Sequence, residues 1–204
     1  MSLTKRIEIS IIISLVASVL FSVISFADTS AEIRDDVLRL HVIANSDSEC
    51  DQRLKLIVRD KLLSEGKEIF NGSVNIENAV EKITPHIKEL TEIAENEIRK
   101  NGYNYSVRIC LDEEYFTTRT YENITLPAGE YLALRVIIGE GTGRNWWCVM
   151  FPPMCVSAAD KEKEINCVLN ESEVNLVTKD PKFEPRFKIV EILESLRNKI
   201  DSLR

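Results

Sequence analysis

Cysteine and histidine are the residues of this chain best suited to nucleophilic chemistry. The chain has five cysteines and two histidines. Cys148 could act as a nucleophile with His41 as its base, provided that the segments carrying them are neighbours. However, Cys148 lies in an apolar segment, where a cysteine is usually a small buried hydrophobe or half of a disulfide. A hydrolase using Cys148 and His41 is therefore the alternative hypothesis, not the leading one.

The Cys148 sulfur could instead form a disulfide with Cys155. The two residues are separated by a Pro-Pro bend, which could bring their Cα atoms to the roughly 4.4–6.8 Å that a disulfide requires. Two reduced, buried thiols are the alternative. Because the number of cysteines is odd, at least one thiol stays unpaired. No Cys-x-x-Cys spacing indicates a metal, and we predict neither a metal nor a cofactor.

Basic side chains inside apolar segments give the second chemical signal. Arg135 lies within Leu-Ala-Leu-Arg-Val-Ile-Ile, where a guanidinium must pair with a carboxylate or reach a surface. Arg39 and His41 alternate with apolar residues, so both point to the same side of a strand. Pairing with a carboxylate is the structural explanation for Arg135. The functional one is a polar cluster of Arg39, His41 and Arg135 on one sheet face, which is the best candidate binding site.

Two adjacent tryptophans follow a glycine-rich segment. Trp146 and Trp147 would face opposite ways on a strand, so only one can easily lie in the core. The other is a candidate interface anchor. The glycines before them are not followed by the Gly-Lys-Ser/Thr of a phosphate loop, so we predict a hairpin turn there.

The periodicity of apolar residues predicts the elements that position these side chains. A strand at 37–44 precedes a helix capped by Ser46 or Ser48 and ending at Gly66. A second helical pattern starts at Ser73 or Asn75, and Pro85 must kink or divide it. Further strands are predicted at 105–111, about 116–121, 131–138 and 146–151, with 131–138 central and paired to 146–151. This order predicts an α+β fold, a mostly antiparallel sheet with helices packed on one face.

The N-terminal segment has the composition of an export signal. Lys5 and Arg6 precede an uncharged run from Ile9 to Ala27, and small residues at its end favour cleavage after Ala27. An uncleaved membrane anchor is the alternative. Either way the basic flank places the rest of the chain outside the cytoplasm, with membrane contact only through this segment. A net charge of −7 makes nucleic acid a poor partner.

The composition divides the chain into four parts. Residues 1–27 are the signal peptide or anchor, and 28–155 form the α+β domain. Residues 156–185 are acidic and are predicted to be an irregular connection. Residues 186–204 show the apolar stripe of an amphipathic C-terminal helix, which could pack on the sheet or lie against a membrane or a partner helix.

Two segments resemble the signature blocks of the stage II sporulation protein R family. They are "LRLHVIANSDS" with "DQRLKLIVRD", and "PAGEYLALRVIIGEGTGRNWWCVMFPPMC", with a weaker third match at "RFKIVE". The resemblance implies a signalling protein made in the forespore and exported into the space between the two septal membranes. It further implies a partner, a membrane-embedded aspartic protease that processes the precursor of the mother-cell sigma factor E.

The leading hypothesis is therefore a noncatalytic, exported activator whose folded signalling domain binds the extracytoplasmic part of that protease. The alternative is an exported envelope hydrolase using Cys148 and His41. The candidate partner-binding residues are Arg39, His41, Asn45, Arg135, Asn145, Trp146 and Trp147.

Overall fold

The computed structural model of the protein describes residues 2–121, 124–152, 169–178 and 188–192. Its helices are α1 (Leu3–Asp35), α2 (Glu49–Ile69), α3 (Ile76–Ile83), a short 3₁₀ helix (Thr84–His86), α4 (Ile87–Lys100) and α5 (Glu171–Thr178), and residues 188–192 are also helical. Its strands are β1 (Leu38–Ile43), β2 (Val107–Phe116), β3 (Arg119–Tyr121), β4 (Ile124–Leu126), β5 (Gly129–Ile138) and β6 (Asn145–Phe151).

The main sheet has four strands in the order β2-β5-β1-β6. β1 runs parallel to β5 and antiparallel to β6, and β2 runs antiparallel to β5. The predicted α+β class with a mostly antiparallel sheet is thus confirmed. The predicted hairpin between residues 138 and 146 is wrong, because β1 lies between β5 and β6. The local glycine pattern marks a turn correctly, but it carries no information about a distant strand inserted beside β5.

The two faces of the main sheet have different covers. The first face carries Leu40, Val42 and Val136 and packs against α2, α3 and α4 in one hydrophobic core. All three helices pack on this one face of the sheet, as the sequence predicts. The second face is partly covered by the end of α1, by α5 and by a small two-stranded sheet of β3 and β4, which we call the β3–β4 hairpin. A second hydrophobic core lies between this face and its cover, and it contains Phe116 and Tyr131.

Side-chain caps and close packing explain where the helices begin and end. The Ser48 side chain accepts a hydrogen bond from the Asp51 backbone N–H and starts α2, as one of the two predicted caps. Pro85 lies in the 3₁₀ helix that divides α3 from α4, also as predicted. The predicted stop at Gly66 is wrong, since α2 continues to Ile69. A Cβ at Gly66 would lie 2.5 Å from Met150 Cε, so the end of this methionine side chain packs directly against the glycine.

Segments near both ends of the chain pack on the second face of the sheet. Within the described residues, α1 alone is long and apolar enough to cross a membrane, which is compatible with a signal peptide or an anchor. It continues unbroken through the predicted cleavage point, and Phe26 and Ile33 are buried in the second core. Of the predicted C-terminal helix, only 188–192 are described; they are helical, and Val190 is buried.

The predicted irregular connection at 156–185 contains a helix, α5, which corrects that prediction. The Asn170 side chain accepts hydrogen bonds from the backbone N–H groups of Ser172 and Glu173 and so caps α5. Leu176 and Val177 are buried in the second core. The acidic residues of the segment dominate its composition and conceal this short apolar stripe.

The connection between β5 and β6 is held against the loop that follows β1. Gly143 N–H donates to the Ala44 carbonyl at 2.9 Å, and Thr142 N–H donates to the Asn45 carbonyl at 3.2 Å. A Cβ at Gly143 would overlap the Ser46 carbonyl oxygen. A glycine at this position is therefore required for the two loops to touch.

Replacing Gly143 with alanine should force these loops apart. We expect Gly143→Ala to lower the free energy of unfolding by about 1–3 kcal/mol, the usual cost of an added methyl group in a packed site. Chemical denaturation of the full chain in detergent micelles measures this. Glu140→Ala on the same exposed turn is the control, and it should change stability by less than about 0.5 kcal/mol. Equal stability of the two variants would show that the loops are not closely packed.

Candidate functional site

The second face of the sheet brings four of the predicted binding residues together. Arg39 and His41 lie on the same side of β1, as predicted from their alternation. The strand register places His41 opposite Arg135 on β5 and opposite Trp147 on β6. The residues that were expected to form a polar cluster on one sheet face thus lie on one face.

His41 is held by a carboxylate and two aromatic rings. Its Nδ1 lies 2.6 Å from Glu114 Oε2, so Nδ1 carries the proton and donates to the carboxylate. The imidazole is 3% exposed, with ring centroids 5.8 Å from Trp147 and 6.4 Å from Phe116. Its Nε2 is buried without a hydrogen-bond partner. The ring is therefore fixed in orientation with one nitrogen unused.

Arg39 is fully buried in an aromatic environment. Its Nη2 donates to the Tyr121 hydroxyl at 2.5 Å, and its Cζ lies 4.1 Å from the ring centroid of Phe116 and 4.8 Å from that of Tyr131. Burial raises the pKa of Tyr131 well above its ordinary value, although the nearby Arg39 opposes the shift. Tyr131 is therefore a neutral phenol and does not balance the arginine charge.

Both predicted explanations for Arg135, a carboxylate partner and access to the surface, hold in part. Its Nη1 lies 3.9 Å from Asp112 Oδ2, and about a third of the side chain, 36%, is exposed. A long ion pair of this kind contributes little to stability. The guanidinium is thus available to a partner at the surface. The free, half-buried Cys110 lies opposite Arg135 on β2.

The two predicted asparagines have different surroundings. The Asn45 side chain accepts a hydrogen bond from Glu140 N–H at 3.0 Å and donates one to Asp51 at 2.9 Å. Its amide is engaged within the protein, so Asn45 positions the two loops. Asn145 is exposed at the start of β6, opposite Ile43. Of the two, Asn145 is the one that can reach a partner.

The two tryptophans face opposite ways, as expected for neighbours on a strand. Trp147 packs on the second face beside His41, with Arg119 Cζ 4.2 Å from its ring centroid. Trp146 lies on the other side, 38% exposed, with Arg59 Cζ of α2 at 4.4 Å. β6 is an edge strand of the main sheet. Trp146 is therefore the outward-facing tryptophan, at the sheet edge and apart from the second face.

The geometry overturns the pairing of Cys148 with His41. Cys148 lies opposite Leu40 in the register of β1 and β6 and is buried in the first core, whereas His41 is on the second face. Cys148 is also disulfide-bonded, so its sulfur is not a free thiolate. The hydrolase hypothesis built on these two residues is wrong. The predicted disulfide partner, Cys155, lies outside the described residues, and that pairing stays a prediction.

Four residues around the site were not predicted from the sequence. Glu114 lies on the period-two pattern of β2, and continuing that pattern beyond residue 111 could have found it. Tyr121 and Tyr131 approach Arg39 from the β3–β4 hairpin and from β5. Phe116, Tyr121 and Tyr131 were assigned to predicted strands but to no role, and no local signal links Tyr121 to Arg39.

Comparisons with known proteins identify the family. A family model described as stage II sporulation protein R matches residues 34–161, which is more than half of the chain. The chain belongs to the stage II sporulation protein R family. Stage II sporulation protein R of Bacillus subtilis (strain 168) is 41% identical over 123 residues, covering 60% of this chain and 55% of that relative. The chain thus spans about half the length of this curated relative. No solved structure matches the chain.

Membership of the stage II sporulation protein R family indicates a role in sporulation. The match begins at Arg34, so it covers the domain and leaves out most of α1. All seven candidate binding residues fall inside it. The family description names a sporulation protein and no enzymatic activity. The absence of catalysis in this chain stays a prediction.

The network below the loops includes a buried carboxylate, Asp51. It accepts hydrogen bonds from Ser46 Oγ at 2.6 Å and Asn45 Nδ2 at 2.9 Å. Burial alone would raise the pKa of Asp51, but the hydrogen bonds from Ser46 and Asn45 outweigh it and lower the pKa below its ordinary value. The carboxylate therefore stabilises the fold above its unfolded pKa, and this contribution disappears as the pH falls through its lowered folded pKa.

Asp51→Asn should lower the free energy of unfolding at pH 7 by about 1–3 kcal/mol, because a neutral amide oxygen accepts the hydrogen bonds from Ser46 and Asn45 more weakly than a charged carboxylate does. The difference from the wild type should shrink as the pH falls below about 4, the ordinary pKa of an aspartate in the unfolded chain, and toward the lowered folded pKa of Asp51. Denaturation of the full chain at pH 7 and pH 3 measures both effects. Glu49→Gln, an exposed change in the same helical turn, is the control. A difference that is the same at both pH values would contradict this role for the Asp51 charge.

Proposed function

We propose that this protein is an exported sporulation signal that binds and activates a membrane-embedded aspartic protease. The protease would then process the sigma factor E precursor in the mother cell. Family membership supports the sporulation role, and the resemblance of the two sequence blocks supports the choice of partner. The export step is supported by α1, an apolar helix behind Lys5 and Arg6.

The observation that carries the proposal is the composition of the second face. Arg39, His41, Arg135 and Trp147 lie together on it, and the imidazole is hydrogen-bonded to a carboxylate; among the described residues, its Nε2 has no hydrogen-bond partner. Arginine and tryptophan are both enriched in binding surfaces. Bond cleavage would instead require a nucleophile within hydrogen-bond reach of the imidazole.

Activation requires the protein to bind one state of the protease more tightly than another. A ligand shifts a conformational equilibrium only by its difference in affinity for the two states. Trp146 at the edge of β6 and Arg135 on the second face are both exposed enough to contribute such a difference. The binding surface that we propose therefore combines the β6 edge with the exposed part of the second face.

Removing either group should weaken binding without unfolding the domain. We expect Trp146→Ala and Arg135→Ala each to raise the Kd for the protease at least about tenfold, equivalent to about 1.4 kcal/mol. Co-purification of the full chain with the protease in detergent gives the affinity, and cleavage of the sigma factor precursor gives the activation.

Matched controls come from surfaces away from the site. Ile57 on α2 is as exposed as Trp146, at 38%, so Ile57→Ala removes a similar exposed apolar group. Arg99 on α4 is an exposed arginine in a loose ion pair with Glu95, and Arg99→Ala matches the loss of charge. Undiminished binding by both site variants, or equal loss in the controls, would remove the proposed binding surface.

A further inference from the structure

The β2 strand is an open edge of the main sheet. The strand order places it at the opposite end from β6, with β5 as its neighbour. It is ten residues long and pairs with β5 from Val107 to Phe116 without a shift in register. Short length, bulges, prolines and charged side chains protect sheet edges from further pairing, and β2 has only the charges. Its charges therefore decide which strand can pair with this edge.

Alternate residues of β2 direct their backbone groups away from β5. The Gly139 N–H donates to the Ser106 carbonyl at 2.9 Å, so the even-numbered residues bond to β5 and the odd-numbered ones point outward. The Val107 N–H confirms this, because it donates to Glu95 of α4 at 3.2 Å. The outward backbone groups of Ile109, two residues further on, have no such partner among the described residues. The free section of the edge therefore begins after Val107.

One antiparallel pairing of two β2 strands matches their residues. With a two-fold axis at Cys110, Arg108 of one copy lies opposite Asp112 of the other, and the axis repeats this contact. Ile109 lies opposite Leu111, so the outward backbone groups of these two residues can exchange both hydrogen bonds. The pairing joins opposite charges on one face of the edge and apolar residues on the other.

Neighbouring registers match less well. An axis one residue earlier would place Arg108 opposite Cys110 and leave it without an acidic partner. An axis one residue later would place Arg108 opposite Glu114, whose carboxylate is already hydrogen-bonded to His41 at 2.6 Å. The side chains of β2 therefore favour the axis at Cys110.

Both charged side chains are available for this contact. Arg108 is exposed and pairs with no carboxylate of the described residues. Asp112 is 58% exposed, and its ion pair with Arg135 is long, with 3.9 Å between Oδ2 and Nη1. In the paired edges, Arg108 and Asp112 occupy positions without hydrogen bonds between the two strands, where opposite side chains approach most closely. The two groups are thus free to pair between copies.

We propose that two copies of this protein dimerise by joining their β2 edges, with the two-fold axis at Cys110. Residues 108–112 of each copy form the contact, in which Arg108 pairs with Asp112 and the backbone of Ile109 with that of Leu111. So short a contact makes the dimer weak and dependent on protein concentration. The β6 edge lies at the far end of the sheet and stays free. The dimer therefore does not depend on whether this protein binds the protease.

Thiol trapping tests the register of the dimer. Opposite residues without hydrogen bonds between their strands lie about 4.5 Å apart at Cα, within the range for a disulfide, and Cys110 is a free thiol. The full chain carrying Cys50→Ser, which removes the other described free thiol, is treated with diamide in detergent with micelles in large excess. Diamide takes up the two electrons and two protons that two thiols release on forming a disulfide. We expect a covalent dimer that a reductant reverses and that Cys110→Ser abolishes.

Charge reversal tests the contact without a covalent bond. Arg108→Glu and Asp112→Lys each place like charges opposite each other in both halves of the contact, so each should weaken dimerisation about tenfold. An equal mixture of the two variants restores opposite charges in both halves, and the mixed dimer should form about as well as the wild type. Sedimentation of the full chain in density-matched detergent measures each affinity. Arg53→Glu, an exposed charge reversal on α2, is the matched control and should leave dimerisation unchanged.

Three results would overturn the dimer. The first is a wild type that sediments as a monomer up to about 0.5 mM, and the second is covalent dimer that forms equally without Cys110. The third is a mixture of the two charge variants that associates no better than either alone. A monomer in which only the bound protease protects Cys110 from alkylation would assign the β2 edge to the protease instead. Because the protease is absent from the sedimentation and trapping experiments, their failure leaves the proposed activation of the protease standing.

Discussion

The structure depends on the burial of β1 from both sides. All six residues of this strand are buried, and it is paired with β5 on one side and β6 on the other. Apolar residues on one face of β1 gain roughly 25 cal/mol for each Å² removed from water. On the other face, Arg39 and His41 are buried at a cost that partners must offset. The three helices on the first face and the aromatic cover on the second follow from this single arrangement.

The central position of β1 also explains why two distant sequence blocks act as one unit. The first block provides β1 and the loop after it, and the second provides β5, β6 and their connection. Hydrogen bonds from Thr142 and Gly143 to the loop after β1, and from Glu140 to the Asn45 side chain, join them. The family resemblance and the physical core therefore coincide, and both lie within the residues matched by the family model.

Features encoded by neighbouring residues were predictable, and those decided by distant ones were not. Alternation revealed β1 and the shared face of Arg39 and His41, and Pro85 revealed the division between α3 and α4. The glycine-rich segment indicated a turn, but its local pattern could not show that β6 passes β5 and pairs with β1.

The same limit applies to single residues. Gly66 has the local signature of a helix end, yet α2 continues past it and Met150 packs against it. Glu114 lay beyond the predicted end of a strand, and Tyr121 meets Arg39 only through tertiary packing. The candidate site was thus predictable as a set of strand positions but not as a set of contacts.

The central claim is that the β6 edge and the exposed part of the second face form the surface that contacts the protease. Site-specific photo-crosslinking tests it most directly, with a benzoylphenylalanine placed at Asn145 on β6 or at Glu92 on α4, which packs on the opposite face beside β2. The account predicts crosslinks to the protease from Asn145 and none from Glu92. Crosslinks from Glu92 alone would contradict it.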